Sequence, residues 1–172
     1  MSKALALTVA NIVRDAGGKI VGRTRLQKIA YLLTVVGLED DLRFSYKHYG
    51  PFSEVVAAGA RDAHLLSFLT ETKTEASWGG TYSIYRIIGA AEHGLADSRS
   101  AFASAAAAAD AVELELMATA VFLAQEGHDD PWAETARRKP EKAGNQRIDR
   151  AKKLYRKLAE VSTPEPLPQI EG

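Results

Sequence analysis

Histidine, aspartate and glutamate are the side chains of this 172-residue chain best suited to hold a metal or move a proton, and they are poorly spaced for either task. His48, His64, His93 and His128 form no HExxH pair, the spacing that sets two imidazoles on one helical face. His128-Asp129-Asp130 is a run of adjacent ligands, but Asp130 stands directly before Pro131 and reads better as a helix cap. No serine sits in a nucleophile elbow, and no glycine run forms a phosphate loop. The absence of cysteine excludes disulfides, thiolate zinc sites and thiol nucleophiles, and fits a reducing compartment. These residues point to a non-enzymatic chain with no metal and no cofactor.

Binding chemistry is better represented. The stretch "FSYKHYGPFSEVV" (44–56) crowds Tyr46, Lys47, His48 and Tyr49 against a Gly50-Pro51 corner. Aromatics beside a cation are typical interface anchors, so these four, with Trp78, are candidate partner-binding residues. The alternative is that Gly50 and Pro51 set a turn and the aromatics merely pack beneath it. Arg23, Arg25, Lys28, Arg61 and Lys73 are candidate nucleic-acid contacts. The helix carrying Arg61 also bears Glu54 and Asp62, which makes it a poor reader of base edges.

Charge is balanced overall, with 22 basic and 22 acidic residues, but unevenly spread. Residues 133–160 hold ten Lys/Arg against four Asp/Glu. This basic section is either a solvated helix face, a docking surface for an acidic partner or RNA, or a match for the chain's own acidic middle, including Glu113, Glu115, Asp129 and Asp130.

The elements that must position these residues follow from periodicity. Leu5, Val9, Ile12 and Val13 share one helical face, predicting a helix over 2–16 that Gly17-Gly18 ends. The same pattern outweighs a faint likeness to a signal peptide. Thr24 and Gln27 have capping-box spacing and predict a second helix, with Leu26, Ile29, Ala30, Leu33 and Val36 inward and Gly37 as its stop. Residues 44–49 alternate as a short strand that Gly50-Pro51 breaks. Ser53 caps a third helix to about residue 70, and a hairpin turns at Gly79-Gly80. Asp110 splits the alanine-rich region into two helices, Asp130-Pro131 opens a short one, and Asn145 caps the last. The proline-rich 162–172 segment reads as a disordered tail.

The fold class is mainly α (α+β): a winged-helix-like N-terminal part (1–89) with a small β-hairpin, packed on a C-terminal helical part (90–161). No run approaches the roughly 20 apolar residues that cross a bilayer, so a cytoplasmic chain without membrane contact is expected.

"RLQKIAYLL", "FSYKHYGPFSEVV", "ELELMATAVFLAQEG" and the basic stretch that ends in a helix follow one another over roughly residues 1–161. In that order and spacing the chain resembles the SocA-like antitoxin family (the Panacea domain) and its YwgA-type relatives. Leu26-Gln27-Lys28 and Tyr49-Gly50-Pro51 are the matching motifs, and Phe-Ser after Gly-Pro is closer to the YwgA type. The resemblance implies no enzymatic activity and no small-molecule cofactor. It implies a cytoplasmic protein whose partner is a cognate toxin, neutralised by binding. A winged-helix DNA-binding regulator is the alternative, with DNA as the partner.

Overall fold

A computed structural model describes residues 2–89 and 97–171; His93 lies outside the described residues. The chain begins with α1 (Lys3–Asp15), β1 (Lys19–Val21), α2 (Arg23–Val35), β2 (Ser45–Lys47), β3 (Gly50–Phe52) and α3 (Glu54–Leu65). The strands β4 (Leu69–Glu75) and β5 (Thr81–Ile87) follow. An antiparallel sheet of order β1-β5-β4 places Ile20 opposite Tyr85 and Thr72 opposite Ile84. Three helices with this sheet order, the β4–β5 hairpin projecting as a wing, form the expected winged-helix-like part of a mainly α protein.

Local chemistry explains most helix starts. The Ser2 hydroxyl accepts from the Leu5 N–H and the Ser53 hydroxyl from the Val56 N–H, each satisfying a donor that has no partner inside its helix. Gly59 lets α3 press on α1: a Cβ there would lie 2.8 Å from a Val9 methyl carbon and 3.0 Å from the Leu5 carbonyl oxygen. The face thus closed buries Ala6, Val9, Ile12 and Val13.

The second half comprises α4 (Ser98–Ala108), α5 (Ala111–Gln125), α6 (Pro131–Arg138), α7 (Pro140–Ala143) and α8 (Arg147–Ala159). Asp110 caps α5 through the Val112 and Glu113 N–H groups, and Asp130 caps α6 through Ala133 N–H, as the spacing predicts. All residues from Leu114 to Val121 are buried, so α5 is the central post of the molecule. It packs against α2, β3, α6 and α8. By contrast α8 buries only Ala151, Leu154 and Leu158 on one face. Among the described residues, no helix is long and apolar enough to cross a membrane.

Several expectations are corrected. β1 was not anticipated, because three residues are too few to display alternation. Pro51 does not end the strand region: it lies in β3, paired opposite Tyr46 in a two-stranded ribbon. Such a ribbon tolerates a residue without an N–H because both of its strands are edges. α2 starts at Arg23 after Gly22 (φ +99), with no side-chain cap, so Thr24 and Gln27 form no capping box. α3 ends at Leu65 and not near residue 70; Ser67 takes φ +60 and Leu69 already belongs to β4. Gln146, not Asn145, is the N-cap position of α8, and it makes no side-chain cap.

The tail is not disordered. Glu165 N–H donates to Val36 O at 3.0 Å, Tyr155 OH donates to Pro168 O, and Leu167 is buried. Proline prevents this segment from becoming a helix, but an extended segment that finds acceptors and an apolar seat is held without one.

Candidate docking groove and the joint beneath it

The motifs that flank the corner are bonded to each other. Gln27, only 4% exposed, turns its amide onto the backbone of Ser53. Its Nε2 donates to Ser53 O at 2.9 Å and its Oε1 accepts from Ser53 N–H at 2.8 Å. Lys28, 1% exposed, donates from Nζ to Pro51 O at 2.8 Å, using the one backbone polar group that proline retains.

α5 and the basic section complete the joint. Buried Glu115 pairs with Lys139 at 3.0 Å and Lys142 at 2.8 Å, and Lys139 also donates to His48 O at 2.9 Å. Burial lowers the Lys28 ammonium from its usual range to about 8. Glu115 partly offsets this, while Lys139 and Lys142 add to it. Gly50 (φ +93) is required on two counts: its backbone is left-handed, and a Cβ would meet Thr119 Oγ1 at 2.5 Å. All four sequence motifs therefore converge on this one corner, and β2–β3 is fixed from below.

Above the joint lies a groove of about 530 Å³ between the α2 start, the corner and the wing. Its lining takes Tyr49 and Phe52 from the corner, Lys73, Trp78 and Tyr82 from the wing, and Val21 to Arg25 from the end of β1 and the start of α2. Trp78 is 74% exposed and Tyr49 57%. The Trp78 ring lies over Gly80, where a side chain would collide with it. Lys142 Nζ sits 4.6 Å from the Tyr49 ring centroid, which steadies that ring from outside the groove.

The charged lining is Arg23, Arg25 and Lys73, with no carboxylate among the lining residues. Arg23 reaches Glu71 at 3.2 Å, and Glu71 also accepts from Ser83 Oγ at 2.6 Å. Burial opposes ionisation of Glu71, but the bonds from Ser83 and Arg23 outweigh it and hold its pKa below the ordinary value. Arg25 donates to Val21 O at 2.7 Å and Ala109 O at 3.0 Å, tying α2 to the α4–α5 junction.

The sequence-derived candidates separate into three groups. Tyr49, Trp78, Arg23, Arg25 and Lys73 meet in the groove. Tyr46 does not: it packs on Phe122 at 5.8 Å, under the Arg138 guanidinium at 5.1 Å, and serves as a structural aromatic. Lys47 and His48 are exposed on the ribbon, outside the groove lining. Arg61 lines a smaller cavity with Glu71 and Tyr85. Lys28 is corrected outright, since a buried ammonium spent on Pro51 O is not free to meet phosphate.

Sequence reasoning missed Phe52 and Tyr82 as groove walls, and it missed the Gln27 clamp. The aromatic-rich stretches around residues 52 and 82 were the available signal for the first two. The basic section partly matches the chain's own acidic middle: Arg150 pairs with Glu113 at 2.7 Å, and Lys139 and Lys142 pair with Glu115. Asp129 forms no ion pair among the described residues and Asp130 is used as a cap. No group of three or more metal-ligating side chains occurs among the described residues. No protein-family model, curated protein or solved structure matches this chain.

Proposed function

We propose that the protein is a non-enzymatic protein-binding module, a toxin-neutralising antitoxin of the SocA-like kind, acting in the cytoplasm by covering its partner's working surface. The observation that supports this reading is the meeting of Tyr49 and Trp78, two of the largest exposed apolar side chains, in one groove over a rigid joint. Tyr49 stands on backbone that is bonded on several sides and so loses little conformational freedom on docking, which is what interface anchors require.

A winged-helix DNA-binding regulator is supported less well. The exposed face of α3 carries Glu54, Arg61, His64 and Leu65. Of the candidate phosphate contacts, Lys28 is buried, Arg25 is spent on carbonyls and Arg23 is shared with Glu71, which leaves Lys73 on the wing and Arg61 on α3.

The test is a tagged pulldown from the native cell, with and without nuclease, analysed by mass spectrometry and followed by co-expression of the recovered protein. The reading expects one stoichiometric protein that survives nuclease, whose toxicity this chain relieves. Co-purifying DNA that disappears with nuclease, with no protein left, would replace it by the regulator.

A further inference from the structure

Three apolar or charged features outside the joint are open to a ligand: the groove, the basic face of α8, and the small cavity by Arg61. Of the three, the groove alone combines exposed aromatic walls with an unpaired cation. We propose that its occupant is a segment of the partner protein in which a carboxylate stands beside a large apolar side chain, an assignment that rests on the protein-binding reading above.

The charge of the lining selects the carboxylate. Three cations and no acid line the groove. Lys73, at its exposed rim, has no ion-pair partner among the described residues. Arg23 keeps a guanidinium that is largely solvent-exposed beyond its bond to Glu71. A carboxylate entering between these two shares Arg23 with Glu71 and meets Lys73 without a bonded partner among the described residues. The first turn of α2 has no side-chain cap and no acidic residue, so among the described residues Glu71, through Arg23, is the carboxylate an incoming anion must share with.

The walls select the apolar neighbour. Tyr49 and Phe52 from the corner and Trp78 and Tyr82 from the wing all line it with aromatic surface. Aromatic side chains are the residues that most often anchor a docked segment, because they bring area at small entropic loss. The volume falls within the range of ligand pockets, enough for a few side chains and too little for a folded element.

The same observations weigh against a nucleic-acid strand. A strand presents phosphates in series and needs a matching track of unpaired cations. Here only Lys73 is without a partner among the described residues, Arg23 is shared and the Arg25 head is committed to two carbonyls. One anion beside one apolar group is the pattern the groove offers.

The test uses the full chain. A displayed library of random peptides is selected against immobilised wild type and counter-selected against Lys73→Glu and Trp78→Ala. Both positions are exposed, and circular dichroism checks that each variant retains the helical content of wild type. Peptides with a carboxylate next to an aromatic or aliphatic residue should be enriched, and should bind wild type at least about ten-fold more tightly than either variant. Enrichment without acidic residues, equal binding to Lys73→Glu, or no enrichment would overturn the proposal. So would an oligothymidylate probe that quenches Trp78 and binds more tightly than any selected peptide. The outcome is separable from the broader reading: a native protein partner retained equally by both variants overturns the groove while leaving a protein-binding module. Absence of any protein partner in the pulldown fails that module itself.

Discussion

Replacing Gln27 by methionine removes the amide that spans Ser53 while keeping nearly the same side-chain volume. The buried Ser53 N–H then loses its partner at 2.8 Å, and Ser53 O loses one of two donors, keeping the Ala57 N–H at 3.2 Å. Both residues are almost fully buried, at 4% and 1% exposure, so water does not take the amide's place. Leaving the buried N–H unmet costs about 1–3 kcal/mol, and losing the second bond to the carbonyl adds about 0.5–1.5, so the substitution is expected to cost about 1.5–4.5 kcal/mol. That is a large part of the roughly 5–15 kcal/mol typical of a folded domain.

Urea denaturation followed by far-ultraviolet circular dichroism measures the loss, with an unchanged m-value showing that the two end states are preserved. Thr24→Ala is the informative control. If Thr24 and Gln27 were reciprocal caps, the two substitutions would cost similar amounts. Since Thr24 makes no cap here, its removal should change stability by no more than about 0.5 kcal/mol. A Gln27→Met cost below about 1 kcal/mol, or a Thr24→Ala cost equal to it, would refute the clamp.

The lowered pKa of Lys28 makes stability depend on alkaline pH. Below about 8 the ammonium is charged in both states, and the folded state carries the burial cost. Between about 8 and the ordinary 10.5 the folded protein has released the proton and the unfolded chain has not, so stability rises with pH through that window, by at most about 3 kcal/mol. Lys28→Met should abolish that rise in denaturation midpoints measured from about pH 7 to 10; parallel profiles for the two proteins would contradict it. Gly50→Ala meets both a positive φ and Thr119 Oγ1, and should cost about 2–4 kcal/mol. Adding Thr119→Ala should relieve the steric part alone, giving a double-mutant coupling of at least about 1 kcal/mol; strict additivity would show that the two positions do not touch.

Much of the fold was legible because its signals are short-range. Ser53, Asp110 and Asp130 each cap N–H groups two or three residues onward, so spacing alone identifies them. The wing was legible for the same reason, with Gly79-Gly80 between two β-prone runs and Ala76 N–H closing onto Gly80 O. The errors fall where one sequence feature serves two physical uses. Gln27 has the spacing of a local cap partner and the length to reach Ser53, 26 residues away. Lys28 looks like a surface cation until the corner's carbonyl is found beside it. Pro51 ends a strand in a wide sheet but not in a two-stranded ribbon. The prolines of the tail forbid a helix, yet they do not decide whether an extended segment finds a seat.

The candidate site divides in the same way. By itself the sequence determined the capped helix starts at Ser53, Asp110 and Asp130, the wing and the residue types available for binding, since each depends on neighbours within a turn or a hairpin. Tertiary structure decided which of those residues act together. It brought Tyr49 and Trp78 into one groove, withdrew Tyr46 beneath Arg138, and spent Lys28 and Arg25 on backbone carbonyls. Those assignments depend on packing α5 against the corner and closing the β1-β5-β4 sheet beside it. Contacts between residues so far apart in the chain are set by which faces are buried against each other, and no local spacing records that.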